Sequence, residues 1–388
     1  MTINPSKSAL GLAVFGMLTV NPSWSQTVPT ELLELSIEDL FDTNIIDESN
    51  REERGSKWHL ELALTSSSYD QYFINGSKAS YDDVLFSSGQ EPRTDKNYPV
   101  VPTEIRQEVT AVQIAYDFSD DVTLRGQIPL VHQSTDHISI IPGYDEFNIS
   151  SNGLGDIVFI ADKIISRSLN SVWRIGGGVS FPTGSIDEEG DTPRAPGNQQ
   201  LPYTMQLGSG TWDFPALVSY QKYEESFTWG LEGQARIRTG KNDRDYRLGN
   251  TYGLGAWAER NVGSDVVLGI RADYLSRGMI RGGDDSLTVP IPGFPYPAPV
   301  VDPNAFGGYQ IDASVYLTAT ISENWRLRVR YERPVWLDLN GPQSALDHTL
   351  GVSLSTKFYP SIGLRAKVLL KLVIVVKILK DSLLITYH

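Results

Sequence analysis

Between residues 57 and 358 apolar and polar side chains alternate in repeated runs of about ten residues, the weak signature of a membrane-spanning strand, and no long helical period interrupts them. In the run from Trp325 to Glu332, Trp325, Leu327, Val329 and Tyr331 are apolar or aromatic, while Arg326, Arg328, Arg330 and Glu332 are charged. An extended chain sends successive side chains to opposite faces, so those four charges share one face. The pattern recurs where Trp229, Leu231, Ala235 and Ile237 interleave with Glu232, Gln234, Arg236 and Arg238. It recurs again where Val266, Leu268, Ile270, Ala272 and Tyr274 interleave with Arg271 and Asp273. A single such strand fits a soluble sandwich as well as a membrane wall. About twelve runs occur, near 57–69, 107–118, 121–133, 153–166, 171–182, 211–222, 226–239, 249–261, 265–278, 308–321, 325–337 and 347–358, an even number of the kind bacterial barrels use.

The connections between runs separate the two folds. Long stretches at 70–106, 134–152, 183–210 and 338–346 alternate with tight turns at Ser119-Asp120, Ser168–Asn170, Glu224-Glu225 and Ser322–Asn324. An outer-membrane barrel has this asymmetry because tight turns face the periplasm and long loops face outside, whereas a sandwich has no cause to alternate. The expected fold is therefore all-β, a transmembrane antiparallel up-and-down β-barrel of about twelve strands occupying residues 57–358. Trp58, Trp173, Trp212, Trp229, Tyr274 and Tyr309 lie mostly near run ends, where amphipathic rings sit at headgroup depth; ordinary sheet packing accounts for them as well.

The chain ends read differently. Lys7, the apolar stretch from Ala9 to Val20 and Ser23-Trp24-Ser25 form a secretory signal over 1–25, too short in its apolar part for a spanning helix. Residues 26–56 form a periplasmic extension in which Leu32, Leu33, Ile37, Leu40 and Phe41 recur at helical spacing, predicting a short amphipathic helix. The run ending at Phe358 resembles the C-terminal signal that such barrels present to their assembly machinery. Residues 359–388 then turn basic and aliphatic, and read as a surface helix, an added strand or a reading-frame artefact.

Composition narrows the chemistry. With a formal charge of −14 over 388 residues, the chain offers no phosphate-binding surface, so nucleic acid is not expected as a partner. Cysteine is absent, which removes disulfides, thiolate metal sites and a cysteine nucleophile. If apolar side chains face lipid, alternation sends Arg125, Asp213, Glu232, Arg236, Arg238, Arg271, Asp273, Asp312, Arg326, Arg328, Arg330 and Glu332 into the lumen. Both signs occur, and two readings stand side by side: a pore whose arginine ladder sets selectivity, or a lumen filled by ion pairs that stiffen a narrow barrel. The proline-rich loop 280–307 reads either as an external lid that gathers apolar solute or as simple stiffening.

Three motifs carry a resemblance. Gly153-Leu154-Gly155-Asp156 opens a strand, Gly178-Val179-Ser180-Phe181-Pro182-Thr183-Gly184 closes the next, and Gln206-Leu207-Gly208-Ser209-Gly210 leads into Trp212-Asp213. Together they resemble the outer-membrane family named for the meta-cleavage (MetA) pathway of phenol degradation. The resemblance implies a barrel grouped with transporters of aromatic or other apolar compounds, with no catalytic residues to carry over. The glycines suit a lumen that holds a plug or a bend, and Pro182 ends a strand where a loop begins.

Catalysis finds little support. The outer-membrane phospholipase motif His-x-Ser-Asn-Gly is matched here by Ser151-Asn152-Gly153, but Ile149 stands where the histidine belongs, so no base adjoins the nucleophile. His59, His132, His137 and His348 are scattered, and the acidic stretch Asp187–Asp191 lacks the spacing of a calcium loop. The expectation is a non-enzymatic outer-membrane channel or transporter for passive passage of small molecules, without metal or cofactor. Its expected partners are membrane lipid, lipopolysaccharide, the barrel assembly machinery and the solute. The alternatives are a non-transporting barrel whose acidic outer loops serve adhesion or envelope integrity, and an outer-membrane hydrolase.

Overall fold

A computed structural model describes residues 58–87 and 92–358; the expected signal peptide, amphipathic helix and basic tail lie outside the described residues. Twelve antiparallel strands form the wall: β1 (Trp58–Ile74), β2 (Val100–Asp117), β3 (Val122–Ser139), β4 (Ile157–Arg167), β5 (Ser171–Phe181) and β6 (Asp213–Tyr223), followed by β7 (Thr228–Arg238), β8 (Thr251–Asn261), β9 (Val266–Arg277), β10 (Gly308–Ser322), β11 (Trp325–Leu339) and β12 (Gln343–Phe358). Each pairs with its successor in the chain, and β12 returns to pair with β1 from Trp58↔Phe358 to Phe73↔Gln343, which closes the sheet into a barrel.

The alternation read from sequence appears as an inverted burial pattern. On β3 the outward Leu124 and Ile128 are 42% and 40% exposed, while the inward Arg125 and Gln127 are 7% and 2% exposed. A soluble protein would reverse this arrangement; a barrel in lipid puts its apolar side chains outside and its polar ones in the lumen. Aromatic rings mark both rims of that apolar band. Trp58 meets Tyr116, and Tyr220 lies between Trp173 and Trp229, at the end with tight turns. Phe181 meets Trp212, and Tyr274 stacks on Tyr309, at the end with long loops.

The wall is not of even height. β3 pairs with β4 from Val122 to Gln127, and its upper part, Leu130–Ile138, pairs instead with a separate strand, Glu146–Leu154. These form an arm that rises from the barrel within the stretch expected to be a loop at 134–152. On the arm and the adjoining top of β2 the outward positions turn polar, with Arg106, Glu108, His132 and Asp136 exposed. The expected last loop, 338–346, is a tighter connection between Leu339 and Gln343.

Candidate functional site

The loop joining β5 to β6 carries nine consecutive buried residues, Leu201–Ser209, on irregular backbone with one short 3-10 turn at Tyr203–Met205. Buried irregular backbone requires hydrogen-bond partners of its own. The inner face of the arm supplies several. Gln133 Nε2 donates to the Gln206 carbonyl at 3.2 Å, and Ser151 Oγ donates to the Met205 carbonyl at 2.7 Å. Gln206 Nε2 in turn donates to the Leu201 carbonyl at 2.9 Å, and the Leu207 amide donates to the Ser185 carbonyl at 2.8 Å. Leu207 packs on Val109 of β2 and Val131 of β3, both inward-facing. A Cβ at Gly153 would fall 2.8 Å from Leu207 Cδ1, so glycine there leaves the space this side chain uses. The segment is a plug seated on the inner wall.

One carboxylate holds it in place. Asp156, where the arm meets β4, accepts from the Gly184 amide at 2.9 Å and from the Ser209 amide and hydroxyl at 2.8 Å each. The two backbone segments it joins pass so closely that a Cβ at Gly184 would lie 2.5 Å from the Leu207 carbonyl oxygen, and one at Gly208 would lie 2.6 Å from the Gly184 carbonyl oxygen. The three glycine motifs of the sequence therefore converge on a single latch. Ser151, which follows Ile149 in place of a catalytic histidine, is occupied as a donor to the plug.

Above the plug the loops meet in an apolar cap. Tyr203 packs edge-on against Tyr246 and Phe306, with ring centroids 4.7 and 5.7 Å away, and Val300, Val301 and Ala305 complete the cluster. The proline-rich loop thus supplies part of the cap. Arg93 lies over the rings of Tyr98 and Phe294 at 4.8 and 4.9 Å, tying the first outer loop to the proline-rich one. Burial pushes the hydroxyls of Tyr98, Tyr203 and Tyr246 well above the usual tyrosine range.

Below the plug the expected lumen charges are brought together in pairs. Asp213 meets Arg238 at 3.1 Å and accepts from Thr211 Oγ1 at 2.7 Å. Arg271 bridges Glu232 at 3.3 Å and Asp273 at 2.7 Å, and Arg330 pairs with Glu332. Arg125 pairs at 2.8 Å with Asp162, which the sequence reading did not single out. Asp312 accepts from Gln310, and Arg328 donates to Thr318 Oγ1 at 3.0 Å while stacking over Tyr316. Arg236 is buried, and Arg326 is half-buried beside the tight-turn rim. At that rim His59 is bonded to Asp117 at 2.8 Å, and a cavity of about 10 Å³, room for about one water, lies among His59, Glu61, Gln113 and Arg125. Sequence reasoning missed the latch because the partners of Asp156 lie 28 and 53 residues away, a distance over which no local period operates.

Comparison with known proteins agrees with this architecture. The family described as "Putative MetA-pathway of phenol degradation" matches residues 88–326. No curated protein matches the chain. Among solved structures, an outer membrane channel from Pseudomonas putida F1 superposes with a TM-score of 0.52 at 15% identity, covering 81% of this chain and 100% of its own. The TodX monoaromatic hydrocarbon channel (TM-score 0.42, 10% identity, 79% and 91% covered) and the translocator domain of the autotransporter NalP from Neisseria meningitidis (0.39, 9%, 83% and 96%) are more distant and add nothing to the fold assignment. The first superposition gives the fold as that of an outer-membrane barrel; the closed wall and its outward apolar band place the chain in the outer membrane.

Proposed function

This chain belongs to the family described as "Putative MetA-pathway of phenol degradation", and from that premise we propose that it is a passive outer-membrane channel for small apolar or aromatic molecules. The observation that carries this reading is the plug, an irregular segment held on the inner wall by a carboxylate and capped by aromatic loops; we read it as a closure of the outer mouth, which a purely structural barrel does not need. The apolar cap suits the solute class that the family description suggests, and the paired charges below it suit a narrow, rigid tube rather than a wide aqueous pore. Passive passage needs no energy source and no cofactor, and we propose no catalytic activity. The engagement of Ser151 with the plug supports that part of the reading.

The test is influx of toluene and of phenol into vesicles whose outer leaflet is lipopolysaccharide, a leaflet such solutes cross slowly unaided. Vesicles carrying the folded protein should take up both faster than protein-free vesicles, and Asp156→Ala should be faster again. Equal rates in all three would refute the channel reading. They would favour the adhesion or envelope role, although Asp187 and Asp284, two of the acidic groups that role invokes, are already paired with Arg244 at 2.7 and 3.2 Å.

A further inference from the structure

We infer that the place filled by Leu207 and the Gln206 carbonyl is itself a solute-binding site, for a small apolar body bearing one hydrogen-bond acceptor, and that the plug occupies it as a built-in surrogate ligand. The inference rests on the channel reading and names the chemistry the mouth would recognise.

The seat has two parts. The apolar part is the inward surface of Val109 and Val131, floored by Gly153 and Gly155, where backbone rather than side chain meets the occupant; a Cβ at Gly155 would lie 3.3 Å from the Leu207 carbonyl oxygen. The polar part is Gln133, which is fully buried. Its Oε1 accepts from Gln107 at 3.2 Å, which fixes the amide so that Nε2 points at the plug and donates to Ser151 Oγ at 3.0 Å and to the Gln206 carbonyl at 3.2 Å. Ser151 Oγ presents a second donor, taken by the Met205 carbonyl. A branched alkyl group next to carbonyl oxygens is therefore what the seat holds. When the plug leaves, a fully buried amide and a buried hydroxyl each lose an acceptor, and a buried donor left unpaired is costly. A solute with an apolar body and a carbonyl or phenolic oxygen restores both the packing and one bond, whereas a pure hydrocarbon restores the packing alone. Because plug and solute would occupy the same volume, solute affinity must rise as the latch weakens: a site available only part of the time binds with an affinity reduced by that fraction.

The probe is 4-methyl-2-pentanone, an isobutyl group on a carbonyl, with 2-methylpentane as the body without the acceptor. Binding is read by saturation-transfer NMR on the full chain in lipid nanodiscs against empty nanodiscs, with folding checked by the faster gel migration of unboiled protein. Asp156→Ala should bind the ketone saturably at a concentration at least about tenfold lower than the unaltered chain. Ser209→Ala, which removes one of the three latch bonds, should fall between the two. In the Asp156→Ala background, Gln133→Leu should cut the preference for ketone over hydrocarbon about tenfold, and Val131→Trp should abolish binding of both. Ketone binding that ignores the latch variants, or a preference that survives Gln133→Leu, overturns the site. Vesicle influx separates this failure from that of the channel reading. Faster influx in Asp156→Ala with no saturable binding leaves the channel and removes the site, whereas the expected binding pattern with no influx leaves the site and removes the channel.

Discussion

Gly184→Ala tests the latch by size alone, without touching a charge. The added carbon would lie 2.5 Å from the Leu207 carbonyl oxygen and 2.7 Å from the Cα and amide nitrogen of Gly208, against the 3.4 Å at which ordinary van der Waals contact begins, so the two segments must part by about 0.9 Å. Overpacking of this kind costs about 1–3 kcal/mol. The separation also stretches the 2.8 Å bond from the Leu207 amide to the Ser185 carbonyl and the clamp of Asp156 on both segments, each worth about 1 kcal/mol or somewhat more. A loss of about 3 kcal/mol from the closed mouth raises the ratio of open to closed forms roughly a hundredfold, at 1.4 kcal/mol per factor of ten. Single-channel recording in planar bilayers should show a higher open probability or a new, larger conductance level. The control is Gly177→Ala on the preceding strand β5, whose nearest neighbour would be 3.8 Å away and which should behave as the unaltered chain. If Gly184→Ala folds, as shown by heat-modifiable migration, and yet conducts like that control, the segment 201–209 does not close the channel.

Three further outcomes are expected. Arg330→Ala leaves Glu332 without its partner in the lumen, so reversal potentials in a salt gradient should move toward cation preference; an unchanged potential removes the arginine ladder from any account of selectivity. Asp213→Ala removes the carboxylate that meets the Arg238 guanidinium, 2% exposed, at a cost of about 3–5 kcal/mol, and should lower the temperature at which the fast-migrating form disappears from gels. The cap should also loosen in alkali. Burial raises the hydroxyl pKa of Tyr98, Tyr203 and Tyr246, so the closed mouth favours their neutral forms; that contribution is complete below the ordinary value of about 10 and declines as pH rises above it. Open probability should therefore be flat up to about pH 10 and climb beyond it, and a flat profile across that range would argue against the aromatic cap as a closure.

The wall was legible from sequence because lipid imposes a period of two wherever a strand crosses it. All twelve expected runs overlap the strands observed, and tight turns such as Ser119-Asp120 and Ser322–Asn324 lie where expected. The errors cluster at the outer ends. β2 begins at Val100 rather than near 107, and β3 runs to Ser139 rather than 133. Once a strand rises above the bilayer its outer face need not be apolar, so Arg106, Glu108, His132 and Asp136 erased the alternation that marked the rest. Alternation put the charged set from Arg125 to Glu332 on one face by the same logic, but did not give the individual pairs, because Arg125 finds Asp162 and Arg271 finds Glu232 across strand registers that alternation does not encode. The motif glycines suited a lumen that holds a plug or a bend; what they pack against, and that Asp156 binds the result together, depends on the loop folding back inside.

The span of that latch has a consequence for how the barrel is made. Its three bonds join residues at most 53 apart, from just before β4 to just before β6, whereas sealing the wall joins β1 to β12, as between Ser67 and Thr349, 282 residues apart. The entropy lost in bringing two points of a chain together grows with the length between them, so the short closure comes more readily than the long one. The stopper should then reach its seat while the ring is still open. Pulsed hydrogen exchange during refolding into lipid should show the Ser209 amide protected before the amides of β12, and the reverse order would mean that the mouth is plugged only after the barrel is sealed.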